Sequence, residues 1–472
     1  MSSTRINDTL ARMYAGLLDS KDPDPSELDA LIEAIRAREV IIYGAGRSGR
    51  MLKSLFDGLN VPVSAFVDRQ HAKIGQIDGV DVQRPGWLSL KDGRPEPLVV
   101  LGAGTMQLTE LIEADITRLA PSLERANGVF LVYLLHYQSC KAKAEHGEYP
   151  PLKHCISYHV KPYKCPIFCR HVEELAEAEL AEADASGDCG CDSACDATPQ
   201  STVEAGSTFN DVGYMLGEVC TLKCEHCHEG VPYLGSTERL PKETVLRDIR
   251  KLTEASRFLH RLDLVGGEPF SHPQIADIVR ELVTVPKIGY IGVFTSGTSV
   301  PDAALCEALR HDRIIVTVSD YGHDHNLTDR QKDKIHRTID MLAAHEVNFV
   351  VYPDRYWVDL NGYDKGDVPE ARLEEHFSNC FMAACHRIYD GTLYHCPYQA
   401  GGIKMEKFEK RDVVDIHAHD LAGLVSELDK FENTKVIDAC RYCNLPKGPT
   451  EVTAGRQLDR RHKVIRIHAE TS

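Results

Sequence analysis

The stretch Cys220–Cys227, CTLKCEHC, offers three thiols to a metal in the spacing C-x3-C-x2-C. Structural thiolate sites are usually closed by four ligands, and three protein ligands leave a position open for something else. A zinc site would have to draw its fourth ligand from His226 or His228. Three thiolates this close can instead hold one iron-sulfur cube together, leaving one iron without a protein ligand. An open iron is useful only if another molecule binds there.

The chain around this loop alternates strand and helix. GYMLGEV reads as a first strand, PKETVLRDIRKLTEA as a helix, and RLDLVGG as the next strand. The pattern continues through HPQIADIVRELV, IGYIGVFTS, PDAALCEALR, DRIIVTVSD, DRQKDKIHRTIDMLAAH and NFVVYP. Repeated βα units of this length predict a full or partial (β/α) barrel over residues 211–370, with chemistry at the strand C-termini. LVGGEPF places Gly266, Gly267, Glu268 and Pro269 at such an end. The glycines permit an exposed backbone edge, and Glu268 offers an acceptor for a ligand ammonium group. Thr295 and Ser296 in FTSGT, and Ser319 and Asp320 in TVSDYG, bring polar groups to the same rim.

A second cysteine set lies in residues 371–472. Cys380 and Cys396 flank Gly391 as C-x10-G-x4-C, and Cys440-x2-Cys443 follows. The glycine allows a tight turn in a hairpin, IYDGTLYHC, that would present Cys396. Four cysteines match a closed cubane; a zinc ribbon is the structural alternative, and Cys385 is a spare thiol. Asp359 and Tyr389 are plausible site residues that nothing in the sequence assigns a role, so the catalytic residues are left unassigned.

Residues 1–138 predict a separate doubly wound α/β domain. Two helices come first, the second, SELDALIEAIRARE, with Ser26 as N-cap. VIIYGAGRSGRMLKSLFDGL then gives strand, glycine-rich turn and helix. VSAFVD ends a second strand in Asp68, PLVVLGAG repeats the strand-to-glycine pattern, and GVFLVYLL reads as a further strand. Gly44, Gly46 and Gly49 form G-x-G-x-x-G, and with Asp68 they suit a nucleotide: close backbone approach, an anion at the helix N-terminus, a carboxylate for a ribose hydroxyl. The same glycines serve equally for helix–strand packing alone. Residues 139–210 read as a connector and linker. Cys140, Cys155, Cys165 and Cys169 there could bind a third metal, though their spacings match no ligand pattern, and Cys189, Cys191 and Cys195 read as a thiol tract in the linker.

Composition bounds the partners. The 472 residues are 43% hydrophobic and 26% charged, as in globular proteins with an ample core. A formal net charge of −17 argues against broad nucleic-acid or anionic-membrane binding. No apolar run reaches the roughly 20 residues of a membrane span, and MSSTRINDTLARMY lacks the apolar core of a secretory signal. A cytoplasmic protein is expected, in which sixteen cysteines point to metal or redox chemistry over disulfides.

Together the loop and GGEP resemble the radical S-adenosylmethionine (radical SAM) enzymes, whose loop is C-x3-C-x-aromatic-C. His226 stands in the aromatic slot. The resemblance implies a [4Fe-4S] cluster on Cys220, Cys224 and Cys227, its open iron chelated by S-adenosylmethionine. It implies that Gly266–Pro269 hold the methionine amino group and that Ser296 and Ser319 approach the ribose or carboxylate. One electron then cleaves the sulfonium, and a 5′-deoxyadenosyl radical takes a substrate hydrogen. The second cysteine set is similar to the twitch domain, a shortened SPASM domain, which implies one auxiliary [4Fe-4S] cluster on Cys380, Cys396, Cys440 and Cys443. That spacing is similar to a family member that oxidises a secondary alcohol of a cyclitol. The N-terminal stretch looks like Rossmann-type domains attached to sugar-modifying enzymes. These likenesses imply oxidation or epimerisation at a CH-OH carbon of a sugar, cyclitol or nucleotide-sugar, with flavodoxin or ferredoxin as electron donor. The rival is a maturase acting on a peptide.

Overall fold

The computed structural model describes residues 3–18, 21–94, 97–102, 106–145, 206–322, 327–352, 356–360, 363–383, 385–448 and 450–458. Cys155, Cys165, Cys169, Cys189, Cys191 and Cys195 lie outside them. The chain divides into two compact units, Met1–Phe168 and Cys169–Ser472.

The first unit opens with helices Ser3–Leu18 and Pro25–Arg36. The N-cap of the second is Asp24 rather than Ser26: its Oδ1 accepts from Ser26 N at 2.9 Å and Glu27 N at 3.2 Å. Pro25, which lacks an N–H, fits the first helical position. The sheet comprises β1 (Glu39–Tyr43), β2 (Val63–Val67), β3 (Gln76–Ile77), β4 (Val80–Gln83), β5 (Pro97–Leu101) and β6 (Glu124–Asn127), in the order β3-β4-β2-β1-β5-β6. All pairs are parallel except the β3–β4 hairpin. The segment GVFLVYLL, expected as a strand, is part of helix Gly128–Ala144. Asn127 starts it by accepting from Val129 N at 3.0 Å and Phe130 N at 3.3 Å. Val129, Leu131, Val132, Tyr133, Leu134 and Leu135 are all buried, so the helix carries no apolar–polar period, and a short apolar run without one reads equally as strand. Cys140 is buried on this helix.

In the second unit β7 (Thr208–Phe209) pairs with β9, and β8 (Val212–Met215), β9 (Phe258–Val265), β10 (Ile288–Thr295), β11 (Ile314–Ser319) and β12 (Phe349–Tyr352) pair in sequence order, all parallel. Helices Lys242–Ala255, Ile275–Leu282, Ala303–Leu309 and Asp329–Ala344 join them in turn. All eight residues of β9 are buried, as in a parallel strand covered on both faces. β13 (Tyr356–Val358) pairs antiparallel with β17 (Glu451–Thr453). β14 (His386–Tyr389), β15 (Thr392–Tyr394) and β16 (Val413–Asp415) extend the main sheet, because β14 pairs in parallel with β8. The path β12-β11-β10-β9-β8-β14-β15-β16 is open.

The hairpin from the second cysteine set therefore continues the sheet of the first. Its turn is Asp390-Gly391, with φ of 45° and 72°, the two positive φ values of a type I′ connection. Buried Asp248, on helix Lys242–Ala255, fastens this turn: it accepts from Gly391 N at 2.9 Å, from Tyr214 Oη at 2.8 Å, and pairs with His417 Nε2 at 2.7 Å.

Candidate functional site

The three-cysteine loop leaves the C-terminal end of β8, and GGEP leaves the end of its neighbour β9. Gly267 N donates to Gly217 O at 2.9 Å and Glu268 N to Val219 O at 2.8 Å. A Cβ at Gly267 would stand 2.0 Å from Val219 O, and one at Gly266 2.7 Å from Gly217 O. The glycines thus give their backbone edge to the lead-in of the cysteine loop, where the sequence alone suggests an exposed edge. They seat one loop on the other.

Glu268 also has a role different from the expected one. Its Oε1 accepts from Thr295 Oγ1 (2.6 Å) and Phe270 N (3.1 Å), and its Oε2 from Ser296 N (3.0 Å) and Ser296 Oγ (2.5 Å). Four donors saturate a carboxylate, so its oxygens are already committed within the protein. Burial pushes its pKa up while the donated hydrogen bonds oppose that. Ser296 Oγ lies 2.7 Å from Thr298 Oγ1, and Thr298 touches Thr221 beside Cys220. A chain of hydroxyls therefore runs from Glu268 to the cysteine loop. Ser319 ends β11, opposite Tyr352 of β12; Asp320 caps its own turn by accepting from Gly322 N at 2.7 Å.

Within the loop, Cys227 N donates to Cys224 O at 3.2 Å, making a turn. Burial pushes the Cys220 thiol up to about 12 and the Cys227 thiol up to about 11. His226 Nδ1 lies 3.1 Å from Asp359 Oδ1, and Asp359 Oδ2 accepts from Asn444 Nδ2 at 3.1 Å. His228 packs on Trp357 at 5.2 Å, and burial holds its pKa down at about 4. Among the described residues no three His, Cys, Asp or Glu side chains converge as they would on a single metal ion. The donor set of the loop is all sulfur, a ligand chemistry that suits iron-sulfur clusters.

The second set forms a pocket. Cys380 follows helix Glu370–Asn379, Cys396 caps helix Pro397–Lys404 by accepting from Gln399 N at 3.3 Å, and Cys440 and Cys443 lie in and just after the short helix Asp438–Arg441. All four line one narrow cavity, walled by Leu360, Phe377, Met382, Tyr398 and Leu445 among others. Burial pushes Cys380 up to about 11 and Cys396 up to about 12, and raises Cys440 and Cys443 as well. A bound metal reverses this preference and holds the thiolates. Cys385 is not part of the lining; its Sγ contacts Phe381 O at 3.4 Å. Four sulfurs around one apolar cavity fit a closed cubane.

Residues 214–350 match the family model of the Radical SAM superfamily. That segment is a radical SAM domain. Molybdenum cofactor biosynthesis protein 1 of Drosophila melanogaster is 34% identical over 84 residues, 17% of this chain and 14% of that protein. GTP 3',8-cyclase of Nostoc punctiforme is 32% identical over 95 residues, 19% of this chain and 29% of that protein. The chain thus spans less than a third of the length of either relative. The structure of BtrN in complex with AdoMet and 2-DOIA is similar over 50% of this chain and 93% of that one, at 15% identity and a TM-score of 0.32. Streptococcus suis SuiB bound to precursor peptide SuiA is similar over 57% and 82%, at 12% identity and the same TM-score. Scores this low carry no argument from shape.

The radical SAM domain supplies both rim loops, but not every side chain that touches them. Asp359 and Gln457 come from beyond residue 350 and reach the cysteine loop, and Asn444 holds Asp359 from behind. Asp359 gained here the geometry its sequence lacked; Asn444 and Gln457 belong to no motif, and only the fold brings them in. Tyr389 Oη lies 2.6 Å from Glu238 Oε2 and 3.1 Å from Glu218 Oε1, with one hydrogen to donate between them.

In the first unit, a Cβ at Gly49 would meet Gly44 O at 1.8 Å, whereas one at Gly46 would meet nothing within 4 Å. Gly49 is therefore needed for packing, and Gly46 opens helix Arg47–Gly58 as its N-cap. Asp68 holds the turn: its Oδ2 accepts from Ala45 N at 2.8 Å and its Oδ1 from Gln70 N at 2.7 Å. Among the described residues no helix is long and apolar enough to cross a membrane.

Proposed function

We propose that the chain is a radical SAM enzyme with two [4Fe-4S] clusters, one open on Cys220, Cys224 and Cys227 and one closed on Cys380, Cys396, Cys440 and Cys443. The observation that carries this reading is the contrast between a three-thiol loop seated on GGEP and four thiols around one cavity. When bound, the open cluster supplies the electron that cleaves S-adenosylmethionine. Gly266–Pro269, Ser296 and Ser319 line the cofactor, with Glu268 acting through the rim it braces. Cys380, Cys396, Cys440 and Cys443 would hold the closed cluster, which would supply an acceptor for the second electron that oxidation of a CH-OH carbon releases.

The favoured substrate is a sugar, cyclitol or nucleotide-sugar, oxidised or epimerised at that carbon. Support comes from the single closed set and from the first unit, read as a twitch-like and a Rossmann-like module respectively. In the latter, the Gly44–Gly49 turn and Asp68 follow the C-terminal ends of the neighbouring central strands β1 and β2, where a nucleotide would sit. A flavodoxin or ferredoxin would deliver the electrons.

Anaerobic reconstitution should give about eight irons per chain, and replacing Cys220, Cys224 and Cys227 by Ala should leave about four. Iron unchanged by that replacement would refute the assignment. Incubation with deuterated sugars should place label in 5′-deoxyadenosine; label from a peptide and from no sugar would transfer the reading to a peptide maturase.

A further inference from the structure

We propose that Gln457 is a positioning residue of the open cluster, its side-chain amide donating to the Cys224 thiolate and so making the cluster easier to reduce. The inference rests on the function proposed above. Gln457 lies outside residues 214–350 and beyond all four cysteines of the closed set, yet the segment that carries it returns to the cysteine loop. Glu225 N donates to Arg456 O at 2.7 Å, Leu458 N donates to Lys223 O at 2.8 Å, and Arg456 Nε pairs with Glu225 Oε2 at 3.0 Å. The backbone on both sides of Cys224 is thereby fastened to residues 456–458.

Gln457 fills the centre of that zipper. Its Oε1 accepts from Lys223 N at 2.8 Å, while its Nε2 donates to Gly455 O at 2.6 Å and to Cys224 Sγ at 3.3 Å. The two backbone partners fix which end of the amide is which. An N–H at Lys223 demands the oxygen and a carbonyl at Gly455 demands the nitrogen, so the N–H that faces sulfur is not interchangeable with an acceptor.

A donor to a ligand sulfur stabilises negative charge on the cluster. The reduced cluster carries one more negative charge than the oxidised one, so the donor favours reduction and raises the potential. Gln457→Leu removes donor and acceptor together. Gln457→Glu keeps an oxygen for Lys223 N but points a carboxylate at the sulfur, so it separates loss of the donor from loss of the loop's anchor.

The test is an EPR-monitored redox titration of the reconstituted full-length chain, with and without S-adenosylmethionine. The reduced signal that changes on adding S-adenosylmethionine belongs to the open cluster. In both variants that signal should titrate at a more negative potential, further in Gln457→Glu, while the unresponsive signal stays in place and Gln457→Glu retains its iron. An unshifted responsive signal, an equal shift of both signals, or iron loss from Gln457→Glu would overturn the proposal and leave Gln457 as a brace. A wild-type chain with no signal that responds to S-adenosylmethionine would refute the proposed function instead, before any variant is measured.

Discussion

The two cysteine sets differ in what surrounds them more than in what they are made of. Cys220, Cys224 and Cys227 sit on a loop stretched across strand ends, hydrogen-bonded on one side to Gly267 and Glu268 and on the other to residues 456–458. Cys380, Cys396 and the Cys440–Cys443 pair come from three separate segments and line one apolar cavity. A loop presented this way has polar backbone and hydroxyls beside it, which suit a charged cofactor. A dry pocket with four sulfurs has no position left to offer. On the function proposed above, the same ligand atom would serve exchange in one region and enclosure in the other.

That comparison breaks most sharply on iron content. Replacing Cys440 and Cys443 by Ala should remove about four of the eight irons expected yet leave the signal that responds to S-adenosylmethionine. Loss of that response would mean the two regions are not separate sites.

A buried ion pair ties the regions together. Arg387 Nε on β14 donates to Glu229 Oε1, two residues past Cys227, at 2.8 Å, with both side chains about nine-tenths buried. Glu229→Ala leaves a buried guanidinium without its partner and should cost about 3–5 kcal/mol, whereas a Glu229→Leu/Arg387→Met double variant should recover most of it. Urea titration of wild type and the two variants measures both quantities; a double variant no more stable than Glu229→Ala would show that the pair does not couple the loop to the hairpin.

Smaller effects sharpen each side. Thr295→Val keeps the volume but removes a donor from buried Glu268, and should cost about 1–3 kcal/mol. The same variant should weaken S-adenosylmethionine binding by loosening the rim, read by equilibrium dialysis. On the closed side, burial holds the His376 pKa down at about 4 from its ordinary 6.5. The unfolded chain therefore binds more protons between those values, so this contribution is fully present above 6.5 and is lost as pH falls toward 4. His376→Phe should flatten that part of the stability–pH curve in urea melts between pH 7.5 and 5.

Much of the fold was legible because it rests on local pattern. The βα alternation, the Asp390-Gly391 turn and the glycine-rich turn after β1 each follow from a few neighbouring residues. The misreadings mark where locality fails. GVFLVYLL is buried all round, so nothing in its order distinguishes helix from strand, and the deciding group is the cap at Asn127. Ser26 and Asp24 are both good caps, and the choice between them depends on Pro25.

The sequence by itself determined the three-thiol spacing, the GGEP segment and the four later cysteines, since ligand chemistry is carried by residue type and short-range spacing. Only the tertiary structure decided that Glu268 braces Thr295 and Ser296, that β14 joins the sheet of β8, and that Gln457 donates to Cys224 from 233 residues away. Those contacts depend on where the backbone returns. Chain return is set by packing of the whole unit, and no local pattern records it.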